Sequence, residues 1–161
     1  MFEPDELLLT LVGAHVEFIV IGGVAVGVHG FIRATKDLDI VPDPEPANLA
    51  RLARVLAELD AQHVGVGDLA PEEFPYDPTD PAQLAQGANF RLDTRLGPLD
   101  LMQWVAGIDT DPAYHQLSGQ AVAVPFREVE IQVCSLEHLR AMKTAAGRPQ
   151  DLEDLGRLES V

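Results

Sequence analysis

Two carboxylates two positions apart in a short apolar run, placed downstream of a glycine pair, constrain this 161-residue chain more tightly than any other feature. Phe18-Ile19-Val20-Ile21 is closed by Gly22-Gly23. After thirteen intervening residues, Asp37-Leu38-Asp39-Ile40 opens a second apolar run that ends at Val41. Side chains at i and i+2 of a strand share a face, so Asp37 and Asp39 are expected side by side, about 7 Å apart at Cα, with Leu38 and Ile40 turned to the core. Carboxylates held that close repel by roughly 1–4 kcal/mol, depending on the local dielectric, unless a cation sits between them. A divalent metal is the natural cation, and oxygen-only ligands favour magnesium or manganese.

The glycines supply the second half of the pattern. If Phe18 to Ile21 is a strand and a helix begins over Val24 to His29, Gly22-Gly23 is the turn between them, with bare backbone N–H groups open to phosphate. Taken singly, each signal is weak, because Asp-x-Asp is common on solvated strand edges. In this order, each at the end of its own apolar run and joined by Arg33-Ala34-Thr35-Lys36, they point to a nucleotide site. Gly22, Gly23, Arg33 and Lys36 are the candidate phosphate neighbours.

This arrangement resembles the nucleotidyltransferase superfamily typified by DNA polymerase beta. Its signature is an apolar residue, Gly-Gly or Gly-Ser, a spacer, then Asp-apolar-Asp/Glu-apolar. The resemblance implies an α+β fold, a mixed or antiparallel sheet flanked by helices, and a third metal-binding aspartate on a later strand in a Gly-x-apolar-Asp-apolar context. Gly97-Pro98-Leu99-Asp100-Leu101 has that form, so Asp100 takes the role. Asp93 is the runner-up, and Arg91 on its own face offers it a plain ion-pair explanation.

A second, independent resemblance lies near the C-terminus. Lys143-Thr144-Ala145-Ala146-Gly147-Arg148-Pro149-Gln150-Asp151-Leu152-Glu153-Asp154-Leu155 is similar to the Lys…Gly-Arg-Pro-x-Asp-apolar-x-Asp-apolar segment of nucleotidyltransferases of the AbiEii/AbiGii toxin type. It implies that Lys143 lies near the triphosphate and that Asp151 belongs to the active-site surround. Helix-end chemistry is the alternative, since a lysine near a C-terminus and an aspartate at an N-cap are each favourable there. Gly23 stands where many members carry serine. The chain ends at Val161, short of the helical domain of the long toxins, so a partner chain or a simpler substrate is expected.

The implied activity is metal-dependent transfer of a nucleoside monophosphate from a nucleoside triphosphate to an acceptor hydroxyl. Transfer RNA, a protein side chain and a small hydroxylated molecule are all open as acceptors, as is a role in a toxin–antitoxin pair. A non-catalytic nucleotide-binding antitoxin or partner subunit is the competing reading. With 26 acidic against 11 basic residues and a net charge of −15, a broad positive surface for long nucleic acid is excluded. Arg33, Lys36, Arg91, Arg95, Lys143 and Arg148 nevertheless flank the segments assigned to the site.

The remaining sequence reads as a single domain over 1–161, with a core over about 15–134 and a helical pair over about 135–160. A first helix is expected over Asp5 to Gly13, and an amphipathic one over Asn48 to Asp60. Pro42, Pro44 and Pro46 form a breaking cluster. A long loop runs from Gly65 to Gln86, a candidate cover for the nucleotide. Ala88 to Thr94 and Pro98 to Trp104 form a hairpin, and a short helix spans Ala113 to Leu117. A second hairpin, Ala121 to Val124 with Glu128 to Val133, turns around Pro125-Phe126-Arg127. Ser135 is expected to cap a helix that Gly147 ends, and Asp151 to cap the last one. No apolar run is long enough to cross a bilayer and the first residues are acidic, so a cytoplasmic chain is expected. The single cysteine, Cys134, is read as a buried thiol rather than half of a disulfide.

Overall fold

The apolar runs become adjacent strands because each is buried on both faces and must find ladder partners for its backbone. In the computed structural model, which describes residues 2–30, 32–65 and 67–159, β1 (Phe18–Ile21) lies antiparallel to β2 (Leu38–Pro42), with Ile21 opposite Asp39. β5 (Gly97–Leu101) runs parallel to β2 with Asp100 opposite Asp39. β4 (Phe90–Thr94) pairs antiparallel with β5 through a turn at Arg95-Leu96. β3 (Gln62–His63) closes that edge. On the other side β7 (Val129–Val133) runs parallel to β1 and is flanked by its hairpin partner β6 (Val122–Phe126). The result is a mixed seven-stranded sheet in the order β3-β4-β5-β2-β1-β7-β6, as the α+β reading expects.

Helices cover the sheet: α1 (Asp5–Gly13), α2 (Gly22–Val28), α3 (Pro46–Glu58), short α4 (Pro81–Leu84), α5 (Tyr114–Ser118), and the C-terminal pair α6 (Leu136–Ala146) and α7 (Pro149–Leu158). α1 and α3 bury Leu7, Leu8, Leu11, Leu49, Leu52 and Leu56, the i, i+3, i+4 stripe an amphipathic helix must turn inward. Ser135 accepts from the His138 N–H at the start of α6, and Gly147 takes φ +61 at its end, a left-handed cap that glycine adopts without a Cβ penalty. No helix among the described residues is long and apolar enough to cross a membrane.

Several boundaries move, each for a physical reason. α2 starts at Gly22 itself, so strand passes to helix with no intervening turn. Asp37 precedes β2, on a bend, rather than lying in the strand. Pro46 opens α3 instead of ending a breaking cluster, because a proline at the first helical positions forfeits no intrahelical hydrogen bond. Pro125 sits within β6, an edge strand whose outer side needs no donor, so the turn shifts to Arg127-Glu128. Asp151 is not the cap residue of α7: the cap is Arg148, and Asp151 reaches back from the third helical position to accept its N–H. The 65–86 stretch carries a 3-10 turn at Pro71–Glu73 besides α4. Residue 160, the expected end of the helical pair, lies outside the described residues.

Leu52 is fully buried in α3. Leu52→Ala is expected to lower unfolding free energy by about 2–5 kcal/mol, the lost transfer energy plus a cavity term. A shift of the urea midpoint at unchanged m-value checks this.

Candidate active site

The centre of the sheet decides where the acids meet. β2 and β5 are parallel neighbours with Asp39 and Asp100 in register, so the two side chains emerge on the same face of adjacent strands. Asp37, just ahead of β2, joins them, and one carboxylate oxygen from each of Asp37, Asp39 and Asp100 lies within 4.8 Å of the others. Three hard oxygen donors converging at that spacing form a plausible donor set for magnesium or manganese and a poor one for softer metals. The triad therefore fits a divalent cation on its own chemistry.

Its electrostatics show the strain of crowding. Burial above all, then the charges of Asp37 and Asp100, push the Asp39 carboxyl up to about 8, against a smaller downward pull from Lys143. Asp100 is also raised, by burial and Asp37, with Arg91 pulling the other way. Without a cation the triad accommodates its charge by holding a proton.

Gly22 is tied to this cluster directly. Its φ is +70, and a Cβ at that position would overlap the Asp39 carboxylate, so glycine is required both by backbone conformation and by the approach of the acid. Gly23 faces the next segment: a Cβ there would stand 2.7 Å from Thr35 Cγ2 and 3.2 Å from an Arg33 guanidinium nitrogen. The glycine pair and the Asp-x-Asp motif are thus in contact across the β1–α2 junction.

A cavity of about 440 Å³ opens over the triad. Its lining takes in Gly22, Gly23, Asp37, Asp39 and Asp100, the charged side chains of Arg33, Lys143, Arg148 and Asp151, and the apolar ones of Met102, Trp104, Val105, Leu139 and Met142. Trp104, the sole tryptophan, is 55% exposed. Asn89 holds its backbone from both sides, donating to its carbonyl and accepting from its N–H.

The cations are arranged differently from the sequence expectation. Lys143 is buried between two carboxylates, 3.1 Å from Asp151 and 3.0 Å from Asp154. Asp154, fully buried, also takes a two-pronged contact from Arg33 at 3.0 Å to each oxygen. Asp151 accepts from the Arg148 side chain and backbone as well as from Lys143. Burial raises the carboxyls of Asp151 and Asp154, but the hydrogen bonds from Arg148 and Lys143 on the first, and from Lys143 and Arg33 on the second, outweigh it and leave both lowered. Arg33 and Lys143 thus line the cavity while already engaged. Lys36 is exposed and lies outside the cavity lining.

Asp93 is exposed, and Arg91, its expected partner, instead sits 3.5 Å from Asp100 across the β4–β5 pair. Arg95 lies 3.3 Å from Asp60, remote from the cavity. Cys134 is buried and its thiol pushed up to about 12 by burial. No described residue of the 67–86 loop lines the cavity; Phe74 of that loop stacks on His63 instead. The role of Asp154 escaped sequence reasoning, although it sits three residues after Asp151 within the motif. Trp104 escaped it too, since nothing in its local pattern distinguishes a cavity wall from an exposed turn.

No known family profile matches this sequence, and no curated protein matches it. Among solved structures, a Thermotoga maritima protein with an inferred nucleotidyltransferase assignment aligns over 99% of this chain and 96% of its own, at 18% identity and a TM-score of 0.55. An antigenic nucleotidyltransferase-like protein from Paracoccidioides brasiliensis aligns over 96% of this chain and 72% of its own, at 13% identity and a TM-score of 0.54. The likeness is one of fold: a mixed α+β architecture shared with nucleotidyltransferase structures.

The raised Asp39 carboxyl has a definite consequence for stability. In the folded, metal-free chain it keeps its proton up to about pH 8, whereas unfolded it releases it near pH 4. Between these values the unfolded state binds fewer protons, so Asp39 makes the folded state progressively less stable as pH rises. Thermal melts in chelator should show the gap between wild type and Asp39→Asn shifting against wild type from pH 4 to 8, and saturating magnesium should reverse that trend.

Proposed function

We propose that this chain is a metal-dependent nucleotidyltransferase that moves a nucleoside monophosphate from a nucleoside triphosphate to an acceptor hydroxyl. The observation that carries the reading is the convergence of Asp37, Asp39 and Asp100 within 4.8 Å, against a glycine that the acid itself forbids from carrying a side chain. A cavity of this volume is of the size that holds one small ligand. Its lining combines charged and apolar side chains, and a triphosphate joined to a base requires both.

In this reading Asp37, Asp39 and Asp100 hold magnesium or manganese, which supplies charge neutralisation on the triphosphate and lowers the pKa of the acceptor hydroxyl. Gly22 and Gly23 allow close backbone approach to the β- and γ-phosphates. Arg148, whose guanidinium meets Asp151 but whose side chain is 70% exposed, is the most exposed of the cations lining the cavity. Lys143, held by Asp151 and Asp154, contributes a fixed positive charge that already acts on Asp39. The acceptor oxygen attacks the α-phosphorus in line, its proton leaves to solvent, and the α–β bridging bond breaks to release pyrophosphate. Positioning and charge neutralisation do this without a protein nucleophile.

The Lys143–Asp151 ion pair supports the AbiEii/AbiGii-like reading and with it a toxin–antitoxin role, since both residues belong to the segment that carries that resemblance. A net charge of −15 favours a protein or small hydroxylated acceptor over transfer RNA. One observation favours the alternative of a nucleotide-binding partner subunit without transfer: Arg33 and Lys143 are both engaged by buried carboxylates, leaving fewer cations for the phosphates.

Because Trp104 is the sole tryptophan and lines the cavity, its emission should change on adding a nucleoside triphosphate with magnesium, and not on adding either with chelator. Label transfer from an α-labelled triphosphate to an acceptor in cell extract should fall by at least about 100-fold in Asp39→Ala, by loss of transition-state charge stabilisation. Binding without transfer under any of the four nucleotides would favour the partner-subunit reading; absence of both would reject the nucleotide site.

A further inference from the structure

Asp37 is the one member of the triad that no strand holds. Asp39 and Asp100 are fixed by paired ladders on β2 and β5, whereas Asp37 ends an irregular stretch, residues 32–37, on a bend just before β2 begins. Among the described residues, that stretch is hydrogen-bonded to the rest of the protein through Arg33 alone. The fork of Arg33 grips both oxygens of Asp154 at 3.0 Å, and its other contact, to the Ala34 carbonyl, stays within the stretch. Thr35 and the Arg33 guanidinium also pack against the bare face of Gly23.

Asp154 is itself held on all sides. Arg33 meets both oxygens, Lys143 approaches at 3.0 Å, and Gln150 donates from one turn back on α7. A carboxylate with no exposure cannot follow a moving partner, because leaving its place would strand an unpaired charge. It is therefore a fixed point to which the one acid of the triad outside a strand is tied.

We propose that Asp154 is a positioning residue: by gripping Arg33 it fixes the 32–37 segment, and so sets the distance of Asp37 from Asp39 and Asp100. This rests on the reading of those three acids as a metal site. The bidentate geometry matters, since two parallel contacts restrain rotation as well as distance. Lysine in place of Arg33 keeps the charge and loses that restraint.

The test uses Mn2+ alone, titrated into the full chain with free Mn2+ read by electron paramagnetic resonance. Wild type should bind, and Asp39→Ala should lose binding. Arg33→Met and Asp154→Asn should each weaken Mn2+ by about 10–100-fold, the scale for outer-shell partners of metal ligands, with Arg33→Lys between them and wild type. Leu52→Ala, destabilised but distant, should keep wild-type affinity, which separates positioning from general loss of stability. Should Asp154→Asn fail to fold, Arg33→Met decides, because its side chain is partly exposed and its loss leaves Lys143 on Asp154. Unchanged Mn2+ affinity in Arg33→Met alongside loss in Asp39→Ala would overturn the positioning role and leave the metal site standing. Failure of wild type to bind, or equal binding by Asp39→Ala, would overturn both.

Discussion

Mutual repulsion among three acids at the centre of the sheet is the constraint on which the rest of this structure depends. Carboxylates crowded into a part-buried site oppose folding unless a proton or a cation offsets them. Here burial and the neighbouring acids hold Asp39 near pH 8, so the metal-free fold carries that cost as a retained proton. The architecture that imposes it is simple. Parallel pairing of β2 with β5 puts Asp39 beside Asp100, and antiparallel pairing of β1 with β2 brings Gly22 against the same carboxylate.

The opposing charges are organised in a second layer rather than scattered through the cavity. Lys143, Arg33 and Arg148 meet Asp151 and Asp154 in a chain of contacts that joins α6, α7 and the segment leading to Asp37. Such a network adds little net stability, since desolvation offsets most of the attraction, but it is costly to break at one member. Its effect is geometric. It places fixed positive charge behind the acids while leaving the side chain of Arg148 open to solvent.

Much of this was legible in the sequence, and the misreadings are instructive. The Gly22-Gly23 and Asp37-x-Asp39 motifs are local, and Gly97-Pro98-Leu99-Asp100-Leu101 carries the context in which the resemblance implies a third acid. Ser135 and Gly147 bounded α6 as capping chemistry requires. Boundaries erred where one residue type serves two structures: proline opens a helix at Pro46 and tolerates an edge strand at Pro125. The sequence pattern offers Arg91 to Asp93 on its own strand, whereas the β4–β5 register sets it opposite Asp100, 3.5 Å away. Arg33 and Lys143 line the cavity but are engaged by buried acids rather than open to phosphate, and for Arg33 a linear pattern does not show which acid answers a cation 121 residues away.

What the sequence by itself determined is the set of parts: which apolar runs become strands, which glycine pair joins strand to helix, and which acids adjoin those runs, since periodicity, turn chemistry and capping act over a few residues. What only the tertiary structure decided is their pairing. The register of β2 against β5, the burial of Lys143 between two carboxylates, and the tie from Arg33 to Asp154 join residues far apart in the chain, and Coulomb forces and desolvation depend on distance in space.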